Sequence, residues 1–319
     1  MTDSTFGQSW NVVDVTNGLP LGSYFTYMSS SDDGTQIMGV VNGGKVYISN
    51  DIGVSWTVVT GIPTDASYIY CSCSSNFNNL SVCTTTALYI SINAGVTWSQ
   101  VNISNIVLNS TITFAKYSND GTLLFASGMK GLYISSDNGV TFNANYNTGL
   151  NPSITNNIAI SQDNQTILLD IQYKKSTPLY ITRDGGINWS KISGLPDNPV
   201  NTNYNWLLAM SNNAEVMVIS MGVFTFISKD QGITWSRIYN IFGTPLISDN
   251  GKKILIYGDN SVFISYDYGM TWRNQIYNGG LNSSIPYKFG VMSKSGQYIF
   301  LSCKSKMFIS SASFGPTFV

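Results

Sequence analysis

Histidine is absent from the 319 residues, and this bounds the chemistry more tightly than any residue present. Its absence removes the commonest general base and the commonest metal ligand. Ser-His and Cys-His nucleophile systems and histidine-containing zinc sites are therefore excluded. What remains for catalysis is carboxylates: sixteen Asp and a single glutamate, Glu215. A hydrolase built on two of them needs the pair about 5 to 10 Å apart on one face. The four cysteines, Cys71, Cys73, Cys83 and Cys303, do not make a disulfide scaffold at this length. Cys71-x-Cys73 with Cys83 across a hairpin offers a disulfide or a weak thiolate site; small side chains buried in a sheet are the reading we favour. No glycine-rich loop leads from a strand into a helix, so no phosphate cradle is expected. Neither a cofactor nor a metal site is anticipated.

The elements that would have to position any such group are repeats. Tyr47-Ile-Ser-Asn-Asp-Ile-Gly-Val-Ser-Trp56 returns as Tyr89-Ile-Ser-Ile-Asn-Ala-Gly-Val-Thr-Trp98. It returns again ending at Phe142, Trp189, Trp235 and Trp272, and in damaged form from Phe308 to Phe318. The hydroxyl at its third position falls at Ser49, Ser91, Ser135, Thr182, Ser228, Ser265 and Ser310, so the period is 37 to 47 residues. That period fits a four-stranded propeller blade. A second motif keeps step with the first: an apolar strand, a serine, a turn and another apolar strand, as in Ser118-Asn-Asp-Gly-Thr-Leu-Leu-Phe125, which reads as a hairpin. Each unit thus supplies an inner strand a, strands b and c, and an outer strand d starting at the aromatic residue. The expected fold is all-β: a single seven-bladed β-propeller over 1–319, four antiparallel strands per blade. The segment Phe6-Gly-Gln-Ser-Trp10-Asn-Val-Val-Asp14 resembles the end of a repeat followed by strand d. It is expected to close the ring by joining the C-terminal blade, which removes an open sheet edge.

The pattern Ser-x-Asp-x-Gly-x-Thr-Trp resembles the Asp-box (BNR repeat) of the sialidase-like propellers, and the resemblance runs through nearly the whole chain. It implies that Asp51, Asp137, Asp184, Asp230 and Asp267 staple the c–d turns and do not form a row of catalytic acids, because they lie in separate blades. Sialidases of that superfamily hold a substrate carboxylate with three arginines, use Tyr with Glu as nucleophile, and use Asp as acid/base. Arg183, Arg237 and Arg273 stand in or just after boxes, at the end of the blade opposite the family's substrate mouth, and Glu215 lies beside an a–b turn. The Arg-Ile-Pro motif of many sialidases is missing. Xyloglucanase-type enzymes join two such propellers around a cleft, whereas this chain provides one. The seven-bladed photosystem II stability factor shares the form, but its arginine-rich patch has no counterpart here. With ten Asp residues in boxes and a–b turns, those left are Asp3, Asp14, Asp65, Asp170, Asp197 and Asp259. The chain is therefore expected not to be an enzyme. The alternative is a divergent glycoside hydrolase using Asp65, Asp197 or Asp259 at the box-free mouth.

A binding surface is the remaining expectation. Loops between strands b and c carry Lys45, Lys130, Lys174, Lys175, Lys304 and Lys306 against one acid, Asp259. This makes the box-free mouth mildly basic and suited to an anionic glycan or an acidic protein surface. Aromatic residues recur just before or at the start of strand a. Tyr24, Tyr68, Tyr204 and Tyr287 are candidates to ring that mouth, alongside the alternative that they pack in the core. Charged residues make up 10% of the chain and the net charge is −1, against a usual charged fraction of about a quarter, so nucleic acid is not an expected partner. No basic leader with an apolar core opens the sequence, and no apolar run is long enough to span a membrane. A cytoplasmic or particle-associated protein, a virion component included, is the expectation. Its role would be that of a lectin-like binder or a scaffold for a glycan or protein surface.

Overall fold

Runs such as Met217–Met221 and Ile254–Gly258 show no polar alternation, so a strand made of them must be covered on both faces. In the computed structural model, which describes residues 10–13, 18–20, 23–41, 44–103, 111–128, 131–144, 157–171, 178–195, 206–278, 281, 286–303 and 306–311, these runs are the second strands of seven four-stranded antiparallel sheets. Blade 1 comprises Phe25–Ser30, Ile37–Val41, Val46–Ser49 and Thr57–Val58, with neighbours in that order hydrogen-bonded. Blades 2 to 6 repeat it, their inner strands being Tyr70–Cys73, Ile112–Tyr117, Ile158–Ile160, Leu207–Met210 and Thr244–Ile247. Blade 7 takes Phe289–Met292, Tyr298–Ser302 and Met307–Ser311 from the end of the chain. Its outer strand is Asn11–Val13, with Asn11 opposite Ile309. The apolar cores lie between sheets: Leu168 and Ile181 of blade 4 meet Met217 and Ile219 of blade 5, and Leu255 and Ile264 of blade 6 meet Ile299 and Leu301 of blade 7. Each such side chain contributes about 1.5 to 3 kcal/mol of burial free energy. The one helix described, Gln275–Asn278, has four residues, and none is long and apolar enough to cross a membrane.

The boxes are turn staples. In blade 3 the Ser135 hydroxyl donates to Asp137 Oδ1 (2.8 Å) and accepts the Gly139 N–H (2.7 Å). The same carboxylate accepts the Thr141 N–H (2.8 Å) and hydroxyl (2.5 Å). In five boxes the Trp indole N–H donates to the box glycine carbonyl at 2.9 to 3.2 Å. That glycine must be a glycine: Gly269 has φ +74°, and a Cβ there would stand 2.7 Å from Ile227 Cδ1 of the preceding blade. Blade 2 lacks the acid, yet Asn93 Oδ1 accepts from Ser91 Oγ (2.9 Å) and from the Thr97 N–H (2.9 Å), while Nδ2 donates to Thr97 Oγ1 (2.8 Å). Hydrogen bonding, not charge, is what the turn needs.

The serine before each a–b turn is a second staple. Ser31, Ser74, Ser118, Ser161, Ser211, Ser248 and Ser293 are all buried. Each hydroxyl accepts the N–H five residues on, at 2.9 to 3.1 Å. Three residues after each serine the chain turns left-handed, φ 59° to 76°, at Gly34, Phe77, Gly121, Asn164, Ala214, Gly251 and Gly296. This fixed turn aims the N–H of the residue after the serine at the adjacent blade. Main-chain bonds of 2.7 to 2.9 Å run Asp32→Ser75→Asn119 and Gln162→Asn212→Asp249→Lys294→Asp32, each N–H donating to the next blade's carbonyl. Six blade junctions are joined this way around the axis. Among the described residues the junction of blades 3 and 4 is joined by side chains instead: Lys116 Nζ to the Ile158 carbonyl (3.1 Å), Asn119 Nδ2 to that of Ile160 (3.5 Å), and Asn164 Nδ2 to Asp120 Oδ2 (2.9 Å).

Two outcomes follow for stability. Ser248→Ala leaves the partly buried Lys253 N–H without its acceptor and lowers the unfolding free energy by about 1 to 3 kcal/mol, measured by urea titration. Hydrogen bonds from the Thr141 hydroxyl to Asp137, from the Asn188 N–H to Asp184, and from the Thr234 hydroxyl to Asp230 hold these three carboxyls down at about 2, against 3.8 ordinarily. A depressed folded-state pKa gives stability that is present above the unfolded value and lost as pH falls through the folded one. The wild-type midpoint therefore drops as pH falls from about 4 to about 2. The triple variant Asp137→Asn, Asp184→Asn, Asp230→Asn, which copies blade 2, flattens that drop in thermal melts.

Candidate functional site

In each sheet the inner strand runs from the box-free mouth toward the boxes and ends at its a–b turn, so the d–a and b–c connections surround one mouth. Of the basic residues expected there, Lys45 and Lys306 are exposed. Lys45 sits in the b–c turn of blade 1, its carbonyl accepting the Val41 N–H (2.9 Å), and Lys306 precedes strand c of blade 7, its carbonyl accepting the Cys303 N–H (2.9 Å). Lys130, Lys174, Lys175, Lys304 and Tyr204 lie outside the described residues, as does Asp197.

The aromatic ring at the mouth is corrected by burial. Tyr24 is partly exposed, but Tyr68 and Tyr287 are 5% and 2% exposed, and Trp206 is buried likewise. The residue ahead of strand a lies where the chain dives from the rim to the axis, in the wedge between two blades, and a large ring fills that wedge. Tyr68 stands edge-on to Tyr89 at 6.2 Å and its hydroxyl donates to the Pro63 carbonyl (2.9 Å). Tyr287 stands edge-on to Phe308 at 5.7 Å.

The acids are equally dispersed. Asp65 is exposed between blades 1 and 2. Asp259, in the b–c turn of blade 6, is ion-paired with Lys288 at the head of blade 7. Asp170 is fully buried at the end of strand b of blade 4, where it accepts the Asn157 N–H at 2.7 Å and so ties down the start of the inner strand. Among the described residues no three His, Cys, Asp or Glu side chains gather as a metal site. The four thiols are unbonded. The arginines stand in three separate places. Arg183 donates to the Gln231 carbonyl (2.6 Å), Arg237 stacks on Phe224 and Tyr239 (4.6 and 4.9 Å), and Arg273 lies over Tyr266 (5.7 Å).

Two concavities among the described residues bear on these surfaces. One, of about 470 Å³, opens at the box-free mouth between blades 6 and 7. Phe242, Gly243 and Tyr257 form its wall and Asp259, Asn260 and Lys288 its rim. Gly243 makes the wall possible: its φ is +137°, and a Cβ would lie 2.2 Å from the Tyr257 carbonyl. Burial pushes the Tyr257 hydroxyl up to about 12, so it remains a neutral phenol. Phe242 is 44% exposed, an apolar contact point that sequence reasoning missed; the only signal was an aromatic beside a glycine in a short d–a connection. The other concavity, of about 520 Å³, lies on the box side between blades 5 and 6, lined by Lys229, Asp230, Arg237, Tyr239 and Met270 among others.

The family described as Sortilin, neurotensin receptor 3, matches residues 86–212, and the BNR/Asp-box repeat matches residues 226–237. A xyloglucanase of Paenibacillus sp is 29% identical over 170 residues, which is 51% of this chain and 16% of that protein. The chain thus spans about a sixth of that relative's length. Similar solved structures are YCF48 bound to D1 peptide (13% identity, TM-score 0.70, 95% of this chain and 96% of that one) and YCF48 from Cyanidioschyzon merolae (12%, 0.70, 96% and 100%). A GH74 xyloglucanase from Xanthomonas campestris is similar over 97% of this chain and 54% of its own (12%, 0.68). At these identities the structures speak for the fold.

Because Tyr68 and Tyr287 fill inter-blade wedges, Tyr68→Ala and Tyr287→Ala each cost about 3 to 5 kcal/mol of stability, whereas Lys45→Ala leaves the denaturation midpoint unchanged. Seven four-stranded sheets around an axis, the stapled Ser-x-Asp-x-Gly-x-Thr-Trp turns and these matches make the chain a seven-bladed β-propeller of the Asp-box (BNR) repeat type.

Proposed function

We propose that this propeller is a non-catalytic binding module that docks an extended protein segment at its box-free mouth. The observation that carries the reading is the concavity between blades 6 and 7. It offers an exposed phenylalanine, a polar rim and main-chain groups of the Gly243 and Gly258 turns, while its one carboxylate, Asp259, is bound by Lys288. Recognition sites commonly combine one apolar anchor with a few polar groups. The similar propeller YCF48, in its complex with the D1 peptide, and a match to the sortilin family favour a protein partner over a glycan. A scaffold role in a larger assembly uses the same surface.

The second reading, glycoside hydrolysis, is favoured by the xyloglucanase relative. It requires two carboxyls on one face about 5 to 10 Å apart, and Asp259 and Asp65 belong to different parts of the ring.

Binding to a peptide array and a glycan array, with incubation on xyloglucan in parallel, separates the readings. The expected result is peptide binding that weakens about tenfold or more in Phe242→Ala, roughly 1.4 kcal/mol, with no release of reducing ends. Release of reducing ends that Asp259→Asn abolishes would establish the hydrolase instead. Saturable binding to a related set of sugars alone would make the module a lectin.

A further inference from the structure

The concavity of about 520 Å³ between blades 5 and 6 runs up the outer wall of the ring. Strands c and d of blade 5, Phe224–Ser228 and Ser236–Ile238, form one side of it. The box of blade 6 forms the other through Gly269, Met270 and Trp272. Its lining begins at Lys229, just past the box end of strand c, and reaches Tyr239 and Ile241, where the chain has returned along strand d to the level of the mouth. At about 3.3 Å per residue, the steps along strand c from Phe224 to Lys229 give this groove a length of about 17 Å. The connection that supplies Tyr239 and Ile241 to the groove goes on to supply Phe242 and Gly243 to the concavity of the mouth. One short connection therefore separates the two.

The repeat supplies its own comparison. In blade 4 Arg183 stands at the position of Lys229, and its guanidinium crosses to the next box, donating to the Gln231 carbonyl (2.6 Å). In blade 6 the position is Tyr266, with Arg273 over its ring. Blades 1 to 3 have the uncharged Asn50, Ile92 and Ser136 there. Lys229 is exposed, and its ammonium has no hydrogen-bond or ion-pair partner among the described residues. The neighbouring Asp230 is engaged within its own turn, accepting from the Ser228 hydroxyl (2.7 Å) and from the N–H and hydroxyl of Thr234 (2.9 and 2.5 Å). The unengaged charge at this end of the groove is thus a cation.

Between the ends, the margin of the apolar core comes to the surface. Ile238 and Trp272 are partly exposed, and Met270 and Tyr239 are 68% and 69% exposed. The Arg237 guanidinium lies 4.9 Å from the centre of the Tyr239 ring and steadies it. Strand d of blade 5 runs for three residues, where strand d of blades 1 to 4 and of blade 6 runs for two. It is the outermost strand of its sheet, so one edge presents main-chain N–H and C=O groups to any chain that lies beside it.

We propose that this groove is a second subsite for the segment docked at the mouth: an extended peptide that passes over the rim at Phe242, pairs with the free edge of Ser236–Ile238, lays an apolar side chain against Met270 and Trp272, and sets an aspartate or glutamate at Lys229. The inference rests on the peptide-docking reading of the mouth. A chain added to a sheet edge gains main-chain hydrogen bonds and sends alternate side chains into the adjoining groove. A carboxylate at its far end meets the ammonium that the protein leaves unpaired. The length of the groove places that acid about five to seven residues from the residue that contacts Phe242.

Peptides of about twelve residues, long enough to span mouth and groove, are selected from a random phage-displayed library on the full-length protein, and their affinities are measured by fluorescence anisotropy. The selected sequences are expected to carry an aspartate or glutamate about five to seven residues from an apolar residue. K229E and M270E each weaken binding about tenfold or more, whereas K229R does not. Raising salt from about 0.05 to about 0.5 M weakens binding to the wild type and not to K229E. Both altered side chains are exposed, so the melting temperatures stay at the wild-type value. The same peptides are titrated against F242A. Weakening in F242A with none in K229E or M270E overturns the groove subsite and leaves the docking at the mouth standing. Weakening in K229E and M270E with none in F242A overturns the docking at the mouth, and with it the passage over the rim. Affinities unchanged in all three variants, or no enrichment of peptides at all, overturn both.

Discussion

A short main-chain hydrogen bond, made at six of the seven junctions from the residue after an a–b serine to the same position in the next blade, sets the geometry on which everything else rests. Each bond fixes where one inner strand stands relative to its neighbour, and thereby how far apart the facing sheets lie. The apolar layers between blades, each filled from both sides by strand b and strand c residues, fit only at that spacing. The serine hydroxyl makes the bond possible by holding the turn rigid, so that a backbone N–H is presented sideways and not to water. Fastening at the axis leaves the outer strands short; many have two residues, as Thr57–Val58 does. In blades 1 to 6 each follows directly on its box.

The box is the peripheral counterpart of that inner fastening. Both turns use a hydroxyl two residues ahead of an acid or amide, both need a left-handed residue, and both sit at one end of the sheet. The opposite end is consequently free of staples and is built from connections of varying length. This division puts the connections of varying length at one mouth and the mechanical fastening at the other. It also explains why the box acids do not converge: each is engaged within its own turn.

The fold was legible because its repeating unit needs particular side chains, namely Gly53 and its counterparts, Trp56 and its counterparts, and the paired serines. The belt was not, since main-chain bonds leave no mark on the residue that makes them. The position hosts Asp32, Ser75, Asn119, Gln162, Asn212, Asp249 and Lys294 without pattern. Tyr68 and Tyr287 read as mouth residues because they stand in connections, and nothing in the sequence tells that a connection descends between two blades. Lys116 sits in Ile112–Tyr117, where a lysine amid apolar residues reads as the solvent face of a strand; only closure of the ring turns that face inward. Asn93 is the opposite case, since its loss of charge was plain in the sequence while its retained hydrogen bonds needed coordinates.

That lack of pattern at the belt has an evolutionary meaning. A position held through its backbone, and occupied here by acid, amide, hydroxyl and ammonium alike, can change its chemistry without breaking the belt. Seven such positions face a common axis, so the floor of the channel is a surface on which charge, size and polarity can be exchanged one residue at a time. Lys294 has already used that freedom to reach across to Asp32, Ser75 and Gln162 of three other blades. The same ring could as readily carry a different set of groups, and proteins sharing this architecture can diverge in what their axis accepts while remaining equally well folded.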